Sequence, residues 1–350
     1  MTPTPLMTTA EPLRIAIVGC GAIADYLHAP AMAHTPEVRL SAVVDADRSR
    51  AEQFAKKTNV TEVVTDLQDL SPAIEAVVLA TPPDVRPALV QRALARGLHV
   101  LCEKPFANTV AECVMMSEAA TRANRVLGVC HQFRFWPAYR RVRDALRHGE
   151  FGPVQAVEAA FGNVYSWQAA TGYTVRRDQV SGGVLVNSGT HWLDTLLTWF
   201  GDPLSWEYAD DALGGLESNV RMTLRFADPT PAHPGEFVCR YRQTRTCRLS
   251  NEFRVRTAKA VLTLTNNQPF SLGIASGGTT RTETVSPSPI GYLQPASDLY
   301  RDFATAIRTG QQPEVNGFEG TRVLRLIEDC YAAKRNRPLP RETPVPGATW

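Results

Sequence analysis

An apolar, β-branched run at 13–18 (LRIAIV) passes without a break into Gly19-Cys20-Gly21-Ala22-Ile23-Ala24, and a helical stretch follows. No other feature limits the possible folds as sharply. In G-x-G-x-x-A between strand and helix, Gly19 permits a tight turn and Gly21 lets the backbone approach a pyrophosphate. Ala24 lets the helix pack close to the strand. The helix N-terminus then points its unpaired N–H groups at phosphate oxygens. Similar buried-strand runs recur at 40–44, 76–80, 98–102 and 126–130, separated by helical stretches such as 48–58 and 85–96. Strands that alternate with helices of this length predict an α/β, doubly wound parallel sheet. Their unbroken apolar character predicts a sheet covered on both faces.

Asp45 ends the second strand, 26 positions after Gly19 (45 − 19). A carboxylate there normally accepts hydrogen bonds from the adenosine ribose hydroxyls of a dinucleotide. It also repels a 2′-phosphate, so NAD is expected ahead of NADP, with Arg48 and Arg50 close enough to soften the preference. Cys20, between the two glycines, is expected to be a reduced thiol that bound dinucleotide shields. Thr81 and Pro82 end the fourth strand, and Glu103 and Lys104 end the fifth, on the side where open α/β sheets bind ligands. The cofactor-site candidates are therefore Gly19, Gly21, Ala22, Ile23, Asp45, Thr81, Pro82, Glu103 and Lys104. Lys104 precedes Pro105, and a residue before proline is restricted, so an aimed ammonium competes here with an ordinary turn lysine.

Beyond Cys130 the pattern changes. One helix is expected over 133–147, stopped near Gly149 and Gly152, then strands at 154–161, 220–226, 237–249 and 261–265. Runs of strands without alternating helices predict an α+β unit with an open, mostly antiparallel sheet. Helices at 296–309 and 317–334 close the pattern. The expected organisation is a leader over 1–12, a Rossmann unit over 13–131, a second unit over 132–337 and a proline-rich tail over 338–350. The 350 residues suit two domains of about 150 each.

Composition excludes several classes. The net charge of 37 − 35 = +2 speaks against nucleic acid as a partner. No apolar run approaches the roughly 18 residues of a membrane span, and the first dozen residues have neither the basic head nor the apolar core of a signal peptide. Seven cysteines, odd in number and never spaced C-x-x-C, argue for reduced thiols in the cytoplasm. No His/Cys/Asp cluster has convincing metal spacing, so no metal is expected.

In the segment 187–200, a wheel at about 100° per residue puts Asn187, His191, Asp194 and Thr198 on one side and Leu193, Leu196, Leu197 and Phe200 on the other. That is a polar stripe over a core face, and the same pattern fits an ordinary amphipathic helix. Gly182 and Gly183 before it permit close approach of a ligand or another backbone. His131, Arg134, Trp136 and Tyr139 could hold a polyol or a phosphate, or pack between domains. Trp167, Tyr173 and Arg176 suit a loop over the site, and the arginines at 240, 242, 245, 248, 254 and 256 suit a solvated or subunit-facing sheet surface.

Taken together, GCGAIA with His28 and Pro30, ATPP at 80–83, CEKP at 102–105, GGVLVNSGTHWLD at 182–194 and GQQPEVNGFEG at 310–320 closely resemble the Gfo/Idh/MocA oxidoreductases. The resemblance covers roughly residues 13–337. It implies a Rossmann domain, a substrate and oligomerisation domain with an open antiparallel sheet, and hydride exchange at a carbinol carbon of a sugar, sugar derivative or cyclitol. It places Lys104 and His191 in catalysis with Asn187 at the substrate, and Asp194 on the same helix face, with Arg134 and Trp136 of the aromatic and basic cluster, are the further substrate-binding candidates. It also implies a homo-oligomer, a dimer or tetramer, built through the C-terminal sheet. Two departures stand out: Asn187 where many members carry Asp, and Arg86 where histidine usually follows T-P-P. An amide holds a hydroxyl but is no base, which leaves proton transfer to His191 or Lys104. Relatives that hydrolyse glycosides through transient redox, or that only sense NAD, are the alternatives. Loss of Lys104 or His191 would favour the sensor, and both are present.

Overall fold

The computed structural model describes residues 11–167, 171–230, 233–266, 268–334 and 339. The leader over 1–12 and the tail over 338–350 lie outside the described residues, apart from 11, 12 and 339. Six parallel strands form the first sheet: β1 (Leu13–Val18), β2 (Val38–Val44), β3 (Glu62–Val64), β4 (Ala76–Leu79), β5 (His99–Cys102) and β6 (Leu127–Val129). Their order is β3-β2-β1-β4-β5-β6. The direction of winding reverses between β1 and β4, at the end of β1 where Gly19 turns the chain. Such a switch point is where doubly wound sheets bind ligands. Every residue of β4 is buried, and β1 exposes only Arg14, as a sheet covered on both faces requires.

The covering helices follow local rules. α1 (Ala29–Ala33) continues a π-helical turn over Ala24–His28. Asp47 caps α2 (Arg48–Thr58) by accepting the Arg50 N–H, and α3 (Arg86–Ala95) follows β4. Thr109 and Glu112 close a reciprocal capping box on α4 (Val110–Arg122). The helix expected over 133–147 is broken. Gln132–Phe135 is a short 3₁₀ turn, Trp136 is extended, and α5 (Pro137–Arg147) starts at proline, which forces that conformation on its predecessor.

The second sheet has eight strands: β7 (Val154–Gly162), β8 (Ser205–Asp210), β9 (Asn219–Ala227), β10 (Glu236–Thr244), β11 (Glu252–Thr257), β12 (Val261–Thr265), β13 (Ser271–Ser276) and β14 (Thr279–Thr284). Their order is β14-β13-β12-β11-β7-β10-β9-β8, antiparallel except where β7 meets β10. The strand expected to reach 249 stops at Thr244. β8, β11, β13 and β14 were not expected; β14 (TTRTET) is an edge strand with no apolar residue to reveal it. One face packs on α5 and α6 (Thr190–Phe200), burying Leu193, Leu196, Val220, Leu224 and Phe253. α7 (Gln294–Thr309) comes late in sequence, yet it buries Leu299, Tyr300 and Phe303 in the core of the first sheet. α8 (Gly317–Ala332) contributes to both cores, through Leu324 and Ile327. No helix among the described residues is long and apolar enough to cross a membrane.

Candidate active site

Gly19 has φ +95°, and a Cβ there would lie 2.9 Å from the Ala80 carbonyl oxygen, so the turn admits glycine alone. A Cβ at Gly21 would meet nothing within 4 Å, because that backbone opens onto a groove of about 700 Å³. Gly19, Gly21, Ala22, Ile23, Asp45, Thr81 and Pro82 all line this groove. The open backbone at Gly21 and the carboxylate at the far side fit a dinucleotide, with the pyrophosphate against residues 21–23 and a ribose at Asp45.

The Asp45 carboxylate is pinned by N–H groups of Cys20 and Asp47, each at 2.9 Å, and the Arg50 guanidinium approaches it at 3.2 Å. Arg50 also lines the groove, whereas Arg48 pairs with Glu52 at the surface. The ribose end therefore presents an aspartate–arginine pair rather than a lone carboxylate. Cys20 corrects its expectation: the thiol is buried under the loop and does not line the groove. Burial, then Asp45, pushes its pKa up to about 12, so the fold itself protects it. Alkylation near pH 8 is expected to be slow with or without NAD; rapid labelling of the folded protein, read by mass spectrometry, would contradict this burial.

The groove runs into a second cavity of about 690 Å³, the two sharing Ile23, Ala80 and Thr81. Glu103, Lys104, Trp136, Asn187 and His191 line it. Lys104 Nζ donates to the Asn187 carbonyl at 2.9 Å, joining the end of β5 to the second unit. Arg86, 1% exposed, holds this strand end: its guanidinium donates to the carbonyls of Thr81 at 3.0 Å, Glu103 at 2.5 Å, and Pro105. That gives the unusual arginine a positioning task, and it fixes the cis Lys104–Pro105 turn. Glu103 accepts the Lys104 backbone N–H at 2.9 Å and lies 3.1 Å from His28 Nε2, whose Nδ1 sits 2.7 Å from the Tyr300 hydroxyl. Burial pushes Glu103 up, but His28, Lys104 and Arg86 outweigh it and hold the carboxyl below its ordinary range. For Lys104, burial wins and its pKa falls.

His191 stands on α6, and Phe133 stacks on its ring at 4.3 Å. The residue lines the cavity, and its Nδ1 is buried without a hydrogen-bond partner. Burial, then the charges of Lys104 and His131, hold its pKa well below the ordinary value. Asn187 lies in a π-helical turn, Leu185–Gly189, that leads into α6. Glu217, which sequence reasoning missed, anchors this start: its carboxylate accepts N–H groups of Gly183 at 2.7 Å and Leu185 at 2.9 Å, and the Tyr331 hydroxyl at 2.8 Å.

Asp194 and Arg134 were both expected at the substrate, and neither lines the catalytic cavity. They bind each other instead, Arg134 Nη2 to Asp194 Oδ1 at 2.6 Å and Nε to Oδ2 at 2.9 Å, while Nη1 reaches Glu319 at 2.9 Å. Asp194 is 0% exposed. A wheel places residues around a helix axis but not along it, and Asp194 lies three positions past His191, beneath the Gln132–Phe135 turn. His131 is buried beside the same carboxylate at 3.9 Å. Trp167 and Tyr173 do line the cavity, but Arg176 pairs with Asp178 outside it. Of the strand arginines, Arg245 reaches the catalytic cavity, while Arg240, Arg242 and Arg254 line a hollow on the sheet's other face. Sequence reasoning also missed the amides of Gln132, Asn163, Gln243, Asn251 and Asn266, which converge on the cavity from strand ends and loops. No local pattern marks them. His28, Glu103 and Cys130 place ligand-type atoms within 4.8 Å of one another. The first two are already paired with each other, and His28 also with Tyr300.

Comparison with known proteins matches residues 13–131 to the oxidoreductase family model with an NAD-binding Rossmann fold, and residues 139–262 to the GFO/IDH/MocA C-terminal domain. D-apiose dehydrogenase of Paraburkholderia graminis is 24% identical over 94% of this chain and 89% of its own length. D-glucoside 3-dehydrogenase of Escherichia coli is 30% identical, the match spanning 56% of each chain. Among solved structures, aldose-aldose oxidoreductase from Caulobacter crescentus, complexed with glycerol, superposes with a TM-score of 0.80 and 25% identity, covering 92% of this chain and 97% of that one. Levoglucosan dehydrogenase with NADH and levoglucosan has the same fold, with a TM-score of 0.80 at 18% identity over 92% of this chain and 96% of that one.

Proposed function

Since the two matched models together span most of its length, the chain belongs to the Gfo/Idh/MocA oxidoreductase family, and we propose that Lys104 and His191 carry its proton chemistry. The chain is an NAD(P)-dependent oxidoreductase that acts at a secondary alcohol or ketone of a sugar, sugar derivative or cyclitol. One observation carries the residue assignment. The Lys104 ammonium, from the first unit, and the His191 ring, from the second, line the same cavity, with Lys104 held by the carbonyl one helical turn before His191.

Bound nicotinamide supplies the hydride acceptor or donor. In the oxidative direction His191, kept neutral by burial, takes the hydroxyl proton at Nε2. The tautomer that does this carries its own proton on Nδ1. Lys104 lies where negative charge develops on the substrate oxygen and stabilises it. Asn187 and the convergent amides hold the remaining hydroxyls, and Trp136 with Phe133 walls the ring. Neither relative reported above speaks for glycoside hydrolysis or for non-catalytic sensing. The test is a screen of sugars, sugar nucleotides and cyclitols for the appearance of NADH absorbance. Turnover of at least one of these is expected, and none at all would sink the reading.

NAD is the preferred cofactor, because the Asp45 carboxylate faces the groove where a 2′-phosphate would sit. Calorimetry is expected to show tighter NAD than NADP binding, and Asp45→Ser to shrink the difference by removing the repelling carboxylate and leaving Arg50 with Asp47 as its remaining carboxylate partner. Tighter NADP binding by the unmodified protein would overturn the assignment. The protein works in the cytoplasm as a dimer or tetramer. The polar outer face of the second sheet, hollowed to about 700 Å³ around Trp206, Arg221 and Arg240, is where copies meet. Light scattering checks the mass.

A further inference from the structure

Tyr26, Tyr292 and Trp167 are three large rings left 54%, 52% and 40% exposed, and Tyr26 touches both of the others. Tyr26 and Tyr292 stack with centroids 5.6 Å apart and planes at 17°, and Trp167 meets Tyr26 edge-on at 6.1 Å and 84°. They come from three distant segments: the turn after the phosphate loop, the stretch after β7, and the turn before α7. An exposed apolar cluster assembled from separate segments marks a recognition surface more often than an accident of packing. Its position says what is recognised. All three rings line the catalytic cavity, and the same three, with Asp25, Pro30 and Ser166, line an outer hollow of about 610 Å³. The rings thus form the threshold between two connected chambers.

We propose that this threshold is a second sugar subsite, so that the substrate is a neutral glycoside or disaccharide rather than a free monosaccharide. The inference rests on the sugar-oxidoreductase reading above and narrows it. A pyranose ring has an apolar C–H face and a rim of hydroxyls. Tyrosine and tryptophan offer the matching combination, a broad apolar face with a polar tip. In the outer chamber Asp25 and Ser166 supply acceptors for rim hydroxyls; Asp25 already takes one hydrogen bond from Lys57 at 2.9 Å and keeps lone pairs free. Among the described residues that line this chamber none is cationic, and one is a carboxylate. Asp25 is already paired with Lys57, so this chamber lends a phosphate or nucleoside diphosphate no lining cation to pair with, whereas a neutral sugar or aryl group needs none.

The chemistry follows from the blocked anomeric oxygen. A glycoside cannot be oxidised at that carbon to a lactone, so a ring carbinol reacts. Its C–H bond breaks with the electron pair moving to the nicotinamide of NAD⁺, its O–H proton passes to His191, and the C=O forms. The products are a ketoglycoside, NADH and one proton.

The test measures kcat/KM with NAD⁺ for paired probes: D-glucose, D-galactose and D-xylose, each beside its methyl and phenyl β-glycosides, with cellobiose and lactose. The expected result is that phenyl glycosides or disaccharides exceed the matching free aldose by about tenfold, an advantage carried by KM. Tyr26→Ala and Tyr292→Ala are each expected to bring that ratio toward one. Tyr26→Phe, which keeps the ring, should retain it, as should Phe318→Ala, an exposed ring outside both chambers. Equal efficiencies on aldoses and glycosides overturn this inference and leave the sugar-oxidoreductase reading intact. So does an unchanged ratio in both alanine variants accompanied by a smaller mass in light scattering, which would assign the rings to subunit contact. Absence of turnover on every probe overturns this inference, and only inertness of the sugar nucleotides and cyclitols as well would overturn the wider reading.

Discussion

Lys104→Ala and His191→Ala are each expected to lower turnover by about 10²-fold or more, and the double variant to be little worse than either. The non-additivity follows from the geometry. Lys104 is tethered to the Asn187 carbonyl, one turn before His191 on the same helical run, so the two groups address one substrate oxygen. Losing either leaves the other without a complete proton path. NAD affinity should barely change, since the Gly19–Ile23 loop and Asp45 are untouched. The pH profile separates catalysis from structure. His191 titrates well below its ordinary range, so kcat/KM for oxidation should hold through neutral pH and fall only at acid pH, where the ring gains a proton. The Lys104 charge is the second cause of that depression, after burial. Removing it in Lys104→Met should therefore raise the histidine pKa and move the acid limb to higher pH. A merely structural lysine would lower activity without moving the limb. Near-normal turnover in His191→Ala would remove it as the base.

What was legible in the sequence was what is local. The phosphate loop, the five principal parallel strands and the acidic end of β2 each announce themselves within about ten residues, because their constraints are backbone constraints: a positive φ at Gly19, close approach at Gly21, full burial of β1 and β4. The EKP lysine was readable for the same reason. The parts that were not legible come from long-range packing. Arg86 looked out of place in sequence and proves to tie three carbonyls whose residues are scattered from 81 to 105. Glu217 anchors the helix that carries Asn187 from more than 25 positions away. The amides of Gln243 and Asn266 reach the cavity only because β10 and the segment after β12 end beside it. The polar stripe on α6 shows both outcomes on one helix: His191 faces the cavity, and Asp194, one turn deeper, meets an arginine instead.

That buried arginine gives the second large effect. Asp194→Ala is expected to destabilise the fold by about 3–5 kcal/mol, the usual result of stripping one partner from a buried ion pair. Arg134 is buried, and its remaining acidic partner, Glu319, engages a single nitrogen and is itself one-third exposed. Most of the guanidinium charge would be left without compensation. The pH dependence has a definite sign. Burial raises the Asp194 pKa, but Arg134 and His131 outweigh it and hold it below the ordinary value. Its contribution to stability is therefore present above the unfolded-state pKa of about 3.9 and is lost as pH falls through the lower folded-state value. Replacing both partners by apolar residues, Arg134→Met with Asp194→Leu, should cost less than Asp194→Ala alone, because no buried charge is orphaned. Urea unfolding of the two variants measures this directly. Neither side chain lines the catalytic cavity, so the folded fraction of each variant should keep a KM close to the unmodified protein. A raised KM with unchanged unfolding would return Asp194 to the substrate, where a sequence wheel alone would have put it.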